Sequence, residues 1–166
     1  MPATATLELE PATSPDLRAY RSAHQGGGSG SHGYVVLLGL RNADPAHVLR
    51  QVESGLAFRA FTRLQHNAGL TRTQLTRAAG ITPTTLGRRK EGGHFTPEES
   101  DRLLRVTRLF AKALDLHAGE VAAARQWLST PQPALGGAEP LAVAQSEVGA
   151  RQVETLIDRL ENGVFS

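Results

Sequence analysis

The sequence predicts an all-α fold, on three observations. A capping side chain precedes proline at Asp44-Pro45, Thr82-Pro83 and Thr96-Pro97. Such pairs start helices because the side-chain oxygen accepts from an orphan amide while proline, which has no amide to offer, fits the first turn. Apolar residues recur at three- and four-residue spacing along most of the chain, the period that gathers them on one helical face. Strand-like alternation is missing apart from Tyr34 to Leu40, a short apolar run that fits an extended piece.

Taken in order, residues 1–33 mix Pro, Ala, Thr and Ser and finish in Gln25-Gly26-Gly27-Gly28-Ser29-Gly30-Ser31. That composition has little to bury and much backbone freedom, so a disordered, flexible arm is expected. A helix is expected from Pro45 to about Glu53, stopped by Gly55, and a second through Ala57, Phe58, Phe61 and Leu64 to the stop at Gly69. Thr71-Arg72-Thr73-Gln74 matches a capping box and opens a short helix ending at Gly80. Thr82-Pro83 starts the next, which carries Thr84, Thr85, Arg88, Arg89 and Lys90 before Gly92-Gly93 breaks it. A second capping box, Thr96-Pro97-Glu98-Glu99, opens the longest helix, whose Leu103, Val106, Phe110 and Leu114 make it the expected centre of the core. A further helix holds Val121, Ala124, Trp127 and Leu128 and stops before Pro131-Gln132-Pro133. A loop from Pro133 to Glu139, one or two turns from Pro140, and a last helix capped by Ser146 follow. That helix places Val153, Leu156, Ile157 and Leu160 at i, i+3, i+4 and i+7.

A chain of 166 residues holds one domain or two small ones packed together. It contains no cysteine, which removes disulfides, thiolate metal sites and thiol nucleophiles. Its start lacks a signal-peptide pattern, and its longest apolar runs are too short to span a bilayer; a soluble, cytoplasmic protein with no membrane partner is expected. The net charge of +2 hides an uneven distribution. From Leu56 to Gly92, seven bases (Arg59, Arg63, Arg72, Arg77, Arg88, Arg89, Lys90) face only Glu91, a balance of +6; from Gly93 onward seven bases face ten acids, a balance of −3. The middle of the chain suits a polyanion and the remainder does not.

Residues 70–90 have the layout of a helix-turn-helix: a short helix, a tight turn with glycine, and a second helix rich in short hydroxyls and arginines. Thr82, Thr84 and Thr85 let the backbone approach a groove, Arg88, Arg89 and Lys90 can reach phosphates or a guanine edge, and Arg72 and Arg77 can add phosphate contacts. The plainer alternative is a solvated basic hairpin that caps the core. No catalytic constellation emerges. The six histidines are scattered without metal-ligand spacing, and Glu98, Glu99 and Asp101 are accounted for by a helix start. Gly26-Gly27-Gly28 does not follow a strand and open a helix, so it is not a phosphate loop. No enzyme activity, metal or cofactor is expected. After Asn162-Gly163 come two apolar residues, Val164 and Phe165, and Ser166. Left in water they would forgo roughly 1.5–3 kcal/mol of burial per side chain, so they are expected either to dock on another protein or to fold back on their own helix.

The pattern Ile81-Thr82-Pro83-Thr84-Thr85-Leu86-Gly87-Arg88-Arg89, followed by Phe95-Thr96-Pro97-Glu98-Glu99-Ser100-Asp101-Arg102-Leu103, resembles the helix-turn-helix half of Xre/MbcA/ParS-type antitoxins. Ala124-Arg125-Gln126-Trp127-Leu128, Pro133-Ala134-Leu135-Gly136-Gly137, Pro140-Leu141, Gly149-Ala150 and Gly163-Val164-Phe165-Ser166 are similar to that family's toxin-binding domain, in the same order. Gly87 and the pair Gly92-Gly93 depart from the family pattern, which bears on DNA affinity rather than on toxin binding. The resemblance covers about residues 40–166; beside the flexible arm that composition gives over 1–33, the chain is expected to divide into a helix-turn-helix DNA-binding and dimerisation domain over 34–115 and a toxin-binding domain over 116–166. The resemblance implies an antitoxin whose partner is a cognate RES-domain toxin that consumes NAD, blocked sterically at its active-site entrance. It also implies a homodimer within a larger complex and repression at operator DNA. The expected toxin-facing residues are Trp127, Arg151, Glu154, Asp158, Glu161, Gly163, Val164, Phe165 and Ser166, with Val153, Leu156, Ile157 and Leu160 packed on the Trp127 helix. The alternative is a helix-turn-helix transcription regulator without a toxin partner.

Overall fold

A computed structural model describes residues 14–25 and 32–163. Among these residues there is no strand, only the isolated bridges Ala57 to His94 and Gln132 to Ala138. The helices are α1 (Pro15–Gln25), α2 (Pro45–Ser54), α3 (Phe58–Ala68), α4 (Arg72–Ala78), α5 (Pro83–Gly92), α6 (Pro97–Leu116), α7 (Val121–Leu128), α8 (Pro140–Val143) and α9 (Glu147–Glu161). Starts follow the caps read in the sequence. Asp44, Thr71, Thr82, Thr96 and Ser146 each accept an amide hydrogen bond from the first turn, and both capping boxes are complete. Gly69 and Gly93 end α3 and α5 in the left-handed region, where a missing Cβ removes the steric penalty.

Two expectations change. Within the stretch 1–33, expected as a flexible arm, residues 15–25 form α1 with Leu17 and Tyr20 buried in the main core; residues 1–13 and 26–31 lie outside the described residues. The buried Asn67 of α3 anchors this helix: its carbonyl accepts from Ser14 Oγ, and its amide donates to Asp16 Oδ2 at 2.9 Å and to the Leu37 carbonyl at 2.8 Å. Tyr20 donates to Asp115 Oδ1 at 2.9 Å. Burial, reinforced by the Asp115 carboxylate, pushes the Tyr20 hydroxyl up, so it remains a donor. The composition masked this helix because only two large apolar side chains secure it. The run Tyr34 to Leu40, expected as extended, begins instead as a 3₁₀ helix over Gly33–Leu38. Its buried residues are Tyr34, Val35, Leu37 and Leu38. A three-residue turn brings 34 with 37 and 35 with 38 to the core, whereas an extended strand would send alternate side chains to water.

The long helix α6 is the spine and serves two cores. Leu103, Val106, Phe110, Ala113 and Leu114 belong to the larger one, shared with α1, α3, α4 and the α4–α5 turn. Leu109 belongs to a smaller one with Ala144, Ala150, Val153 and Ile157. The stripe of α9 therefore packs chiefly on α6 rather than on α7, with Trp127 reaching in from α7 to touch both clusters. Leu156 and Leu160 are only half-buried. Polar pairs set the register. Arg105 pairs with Glu147 at 2.9 Å, Arg108 with Glu154, and Lys112 with Asp158 at 3.1 Å. Partner numbers rise together, so the two helices run alongside in the same direction. Gly149 lets α8 come close: a Cβ there would lie 1.7 Å from the Val143 carbonyl oxygen, a clash no rotamer relieves.

Candidate nucleic-acid and protein interfaces

Helices α4 and α5 meet through the turn 79–82, in which Gly80 has φ 62° and its carbonyl accepts from Arg102 at 2.9 Å. Leu75, Ala78, Ala79, Ile81 and Leu86 are buried beneath the pair, which leaves the polar faces outward. Thr82 Oγ1 accepts from the Thr85 amide at 3.2 Å and donates to Thr85 Oγ1 at 3.0 Å. Thr84, Arg88 and Lys90 are exposed, as are Arg72 and Arg77 on α4. Among the described residues none of these four arginines and lysines has an ion pair. The sequence-expected DNA residues Arg72, Thr82, Thr84, Thr85, Arg88 and Lys90 are thus brought onto one helix pair, with Arg88 also donating to Thr85 Oγ1 at 3.3 Å and its charge, like those of Arg72 and Lys90, left for phosphate.

Arg89 is the exception. Its Nε donates to Glu99 Oε2 at 2.8 Å and its Nη2 to Oε1 at 3.0 Å, a two-pronged pair with a buried carboxylate. The same carboxylate accepts from the Thr96 amide at 2.9 Å to complete the α6 cap. Burial alone would raise the Glu99 carboxyl, but the Arg89 hydrogen bond and the Thr96 amide together outweigh it and hold it below the ordinary carboxylate value. Arg89 therefore ties the end of α5 to the start of α6, and its fork is not available to a phosphate. Gly87, by contrast, supports no close approach: a Cβ there meets nothing within 4 Å. Gly87→Ala is expected to stabilise the chain by about 0.5–1 kcal/mol through backbone entropy alone, a change that urea denaturation would register.

In the C-terminal half the structure sorts the expected partner-facing residues into two groups. Glu154 and Asp158 point at α6 and are taken by Arg108 and Lys112. Arg151, Glu161 and Gly163 are exposed, and Trp127 is half-buried between the cores. Val164, Phe165 and Ser166 lie outside the described residues. On the outer face of α9 sequence reasoning named Arg151 but missed Val148, which is 71 % exposed and lies with Leu156, Arg151 and Arg159 along a groove of about 550 Å³ also lined by Ala134 and Leu135. The signal was present: Val148 falls about 140° around the helix from Val153, so it cannot share the buried stripe. Among the described residues no group of three His, Asp or Glu could hold a metal, and no helix is long and apolar enough to cross a membrane.

Residues 47–108 match the family model of the antitoxin Xre-like helix-turn-helix domain, and residues 112–163 that of the antitoxin Xre/MbcA/ParS C-terminal toxin-binding domain. An Antitoxin Xre of Yersinia enterocolitica is 43% identical over 100 residues, covering 60% of this chain and 68% of that protein. Another, of Photorhabdus laumondii, is 32% identical over 130 residues, 78% of this chain and 88% of the relative. The chain belongs to the Xre antitoxin family. Both Xre-family matches fall within the described helices: the first runs from α2 into α6, and the second from the end of α6 through α9. The long helix α6 is thus where the helix-turn-helix and toxin-binding parts of this Xre-family chain are joined, and the larger core runs across the junction, since it includes Val121, Ala124, Leu128 and Leu141.

Proposed function

We propose that this chain is the antitoxin of a type II toxin-antitoxin pair. It binds a RES-domain toxin that consumes NAD and blocks that toxin's active-site entrance sterically. It works in the cytoplasm, has no catalytic activity of its own, forms a homodimer within the larger complex, and represses its own operon through α4 and α5. The division of labour follows residues 34–115 for DNA binding and dimerisation and 116–166 for the toxin. The observation that carries the reading is the split of the surface: upstream a helix pair whose Arg72, Arg77, Arg88 and Lys90 are exposed, and downstream an acidic half whose match is a toxin-binding domain. The RES identity rests on the motif resemblance from Ala124 to Ser166, and the residues after Gly163 are proposed as part of the toxin-facing surface.

The test is expression of the RES-domain protein encoded beside this chain, alone and together with it. Expected are growth arrest and a fall in cellular NAD when it is alone, with both reversed by the full chain and not by a chain lacking Val164 to Ser166. Rescue by the truncated chain would remove the tail from the mechanism. A neighbour that leaves NAD unchanged, or that the full chain does not restrain, would overturn the RES reading and leave the transcription regulator in its place.

A further inference from the structure

The C-terminal half carries seven bases, and the structure commits five of them internally. Arg102 donates to the Glu98 and Gly80 carbonyls, Arg105 holds Glu147, Arg108 holds Glu154, Lys112 holds Asp158, and Arg125 donates to the Gly69 carbonyl at 3.1 Å. The two left over are Arg151 and Arg159, and both line the α9 groove. Arg159 has no ion pair among the described residues. Arg151 reaches Glu147 only at 3.5 Å, and Glu147 is already shared by Arg105 at 2.9 Å and Arg108 at 3.5 Å. Arg105 also faces Asp101 and Arg108 also holds Glu154, whereas Arg151 has only this shared and more distant carboxylate, and its side chain is 76% exposed.

Leu135, Val148 and Leu156 line the same groove, together with the polar Gln152 and Thr155. A lone exposed valine needs no explanation. Here Val148 is one of two large hydrophobic residues left exposed among the described residues, and it sits beside two half-buried leucines in the same groove. Positive charge beside apolar side chains, in a half that is otherwise net negative, selects a partner that offers apolar side chains and carboxylates together.

We propose that this groove is where the toxin docks, by a segment that offers apolar side chains together with Asp or Glu side chains that pair with Arg151 and Arg159. The inference rests on the toxin partner proposed above and deepens it by naming the face and the chemistry. The apolar side chains supply buried area in the contact, and the two arginines, a residue type enriched among those that dominate such contacts, fix its orientation and steer its approach.

The experiment measures affinity of the full chain for the neighbouring RES-domain protein at several salt concentrations. Three forms are compared: wild type, Arg151→Gln/Arg159→Gln and Val148→Asp. Glutamine keeps helix propensity while removing charge, and an acid in the first turn of α9 favours the helix dipole, so both variants are expected to melt as wild type does. Each should weaken binding by about tenfold or more, the double glutamine variant should also lose much of the salt dependence, and retardation of upstream DNA should not change. Wild-type binding with affinities of the variants within about twofold would overturn the groove while leaving the toxin partner standing. Absence of wild-type binding would overturn the toxin partner, and the groove proposal with it. Two further results would reassign the groove and so overturn the proposal. A change of oligomeric state of the isolated chain in the same variants would give it to a second copy. Tighter toxin binding on removal of Val164 to Ser166 from the wild type, but not from the double variant, would give it to the chain's own tail.

Discussion

Leu109→Ala is expected to destabilise the protein by about 2–5 kcal/mol, the range for truncating a buried leucine without refilling its volume. Leu109 is fully buried and is the α6 contribution to the smaller core, whose other buried members are Ala144, Ala150, Val153 and Ile157. The half-buried Leu116, Trp127, Leu135 and Val143 also pack against this core, and how far they close the cavity sets the place within that range. The loss is also local. The larger core on the other faces of α6 does not include Leu109, so α9 should loosen before α3, α4 and α5 do. Hydrogen exchange of the α9 amides should rise well above that of the α3 amides in the variant, and urea denaturation should report the overall loss. A loss below about 1 kcal/mol, with α9 protection unchanged, would mean that the ionic pairs rather than Leu109 hold α9 in place.

The second large effect separates two adjacent arginines. Arg88→Ala should weaken binding to DNA from upstream of the gene and flatten the dependence of log K on log salt by about 0.9, the signature of one lost phosphate contact, without changing the melting temperature. Arg89→Ala should do the reverse. It removes both prongs from a buried carboxylate that also caps α6, so the melting temperature should fall, while the salt slope of the folded protein is retained. The acid limit follows from the same carboxylate. Its folded value lies below the unfolded one, so its contribution is present above the ordinary carboxylate range and is lost as pH falls through the lowered value. Identical behaviour of the two variants, in slope and in melting, would place Arg89 on the DNA after all.

Most helix starts were legible because capping is local chemistry. Thr71 with Gln74, and Thr96 with Glu99, satisfy amides three residues away whatever the rest of the chain does. The stripe of Val153 and Ile157 and the basic face of α4 and α5 were legible for the same reason, since a 3.6-residue period assigns faces without knowledge of neighbours. The helix α1 was not, because its anchors, Asn67 and Asp115, lie 51 and 95 residues away. Arg88 and Arg89 look equivalent in sequence, and so do Glu154 and Glu161. Only the approach of α5 to α6, and of α9 to α6, decides which of each pair is spent inside the protein.

By itself, then, the sequence determined the helical class, the positions of the caps, the segregation of positive charge and the family's motifs, all of which depend on interactions within a few residues. The tertiary structure decided which face of α9 is buried against α6, which charges are neutralised there, and which remain for a partner. Those outcomes depend on distances between segments far apart in the chain, and desolvation and pairing energies change steeply with such distances. Arg151 and Arg159 are two bases among seven in the C-terminal half of the sequence; among the described residues the other five are held by hydrogen bonds inside the fold, and these two face the groove.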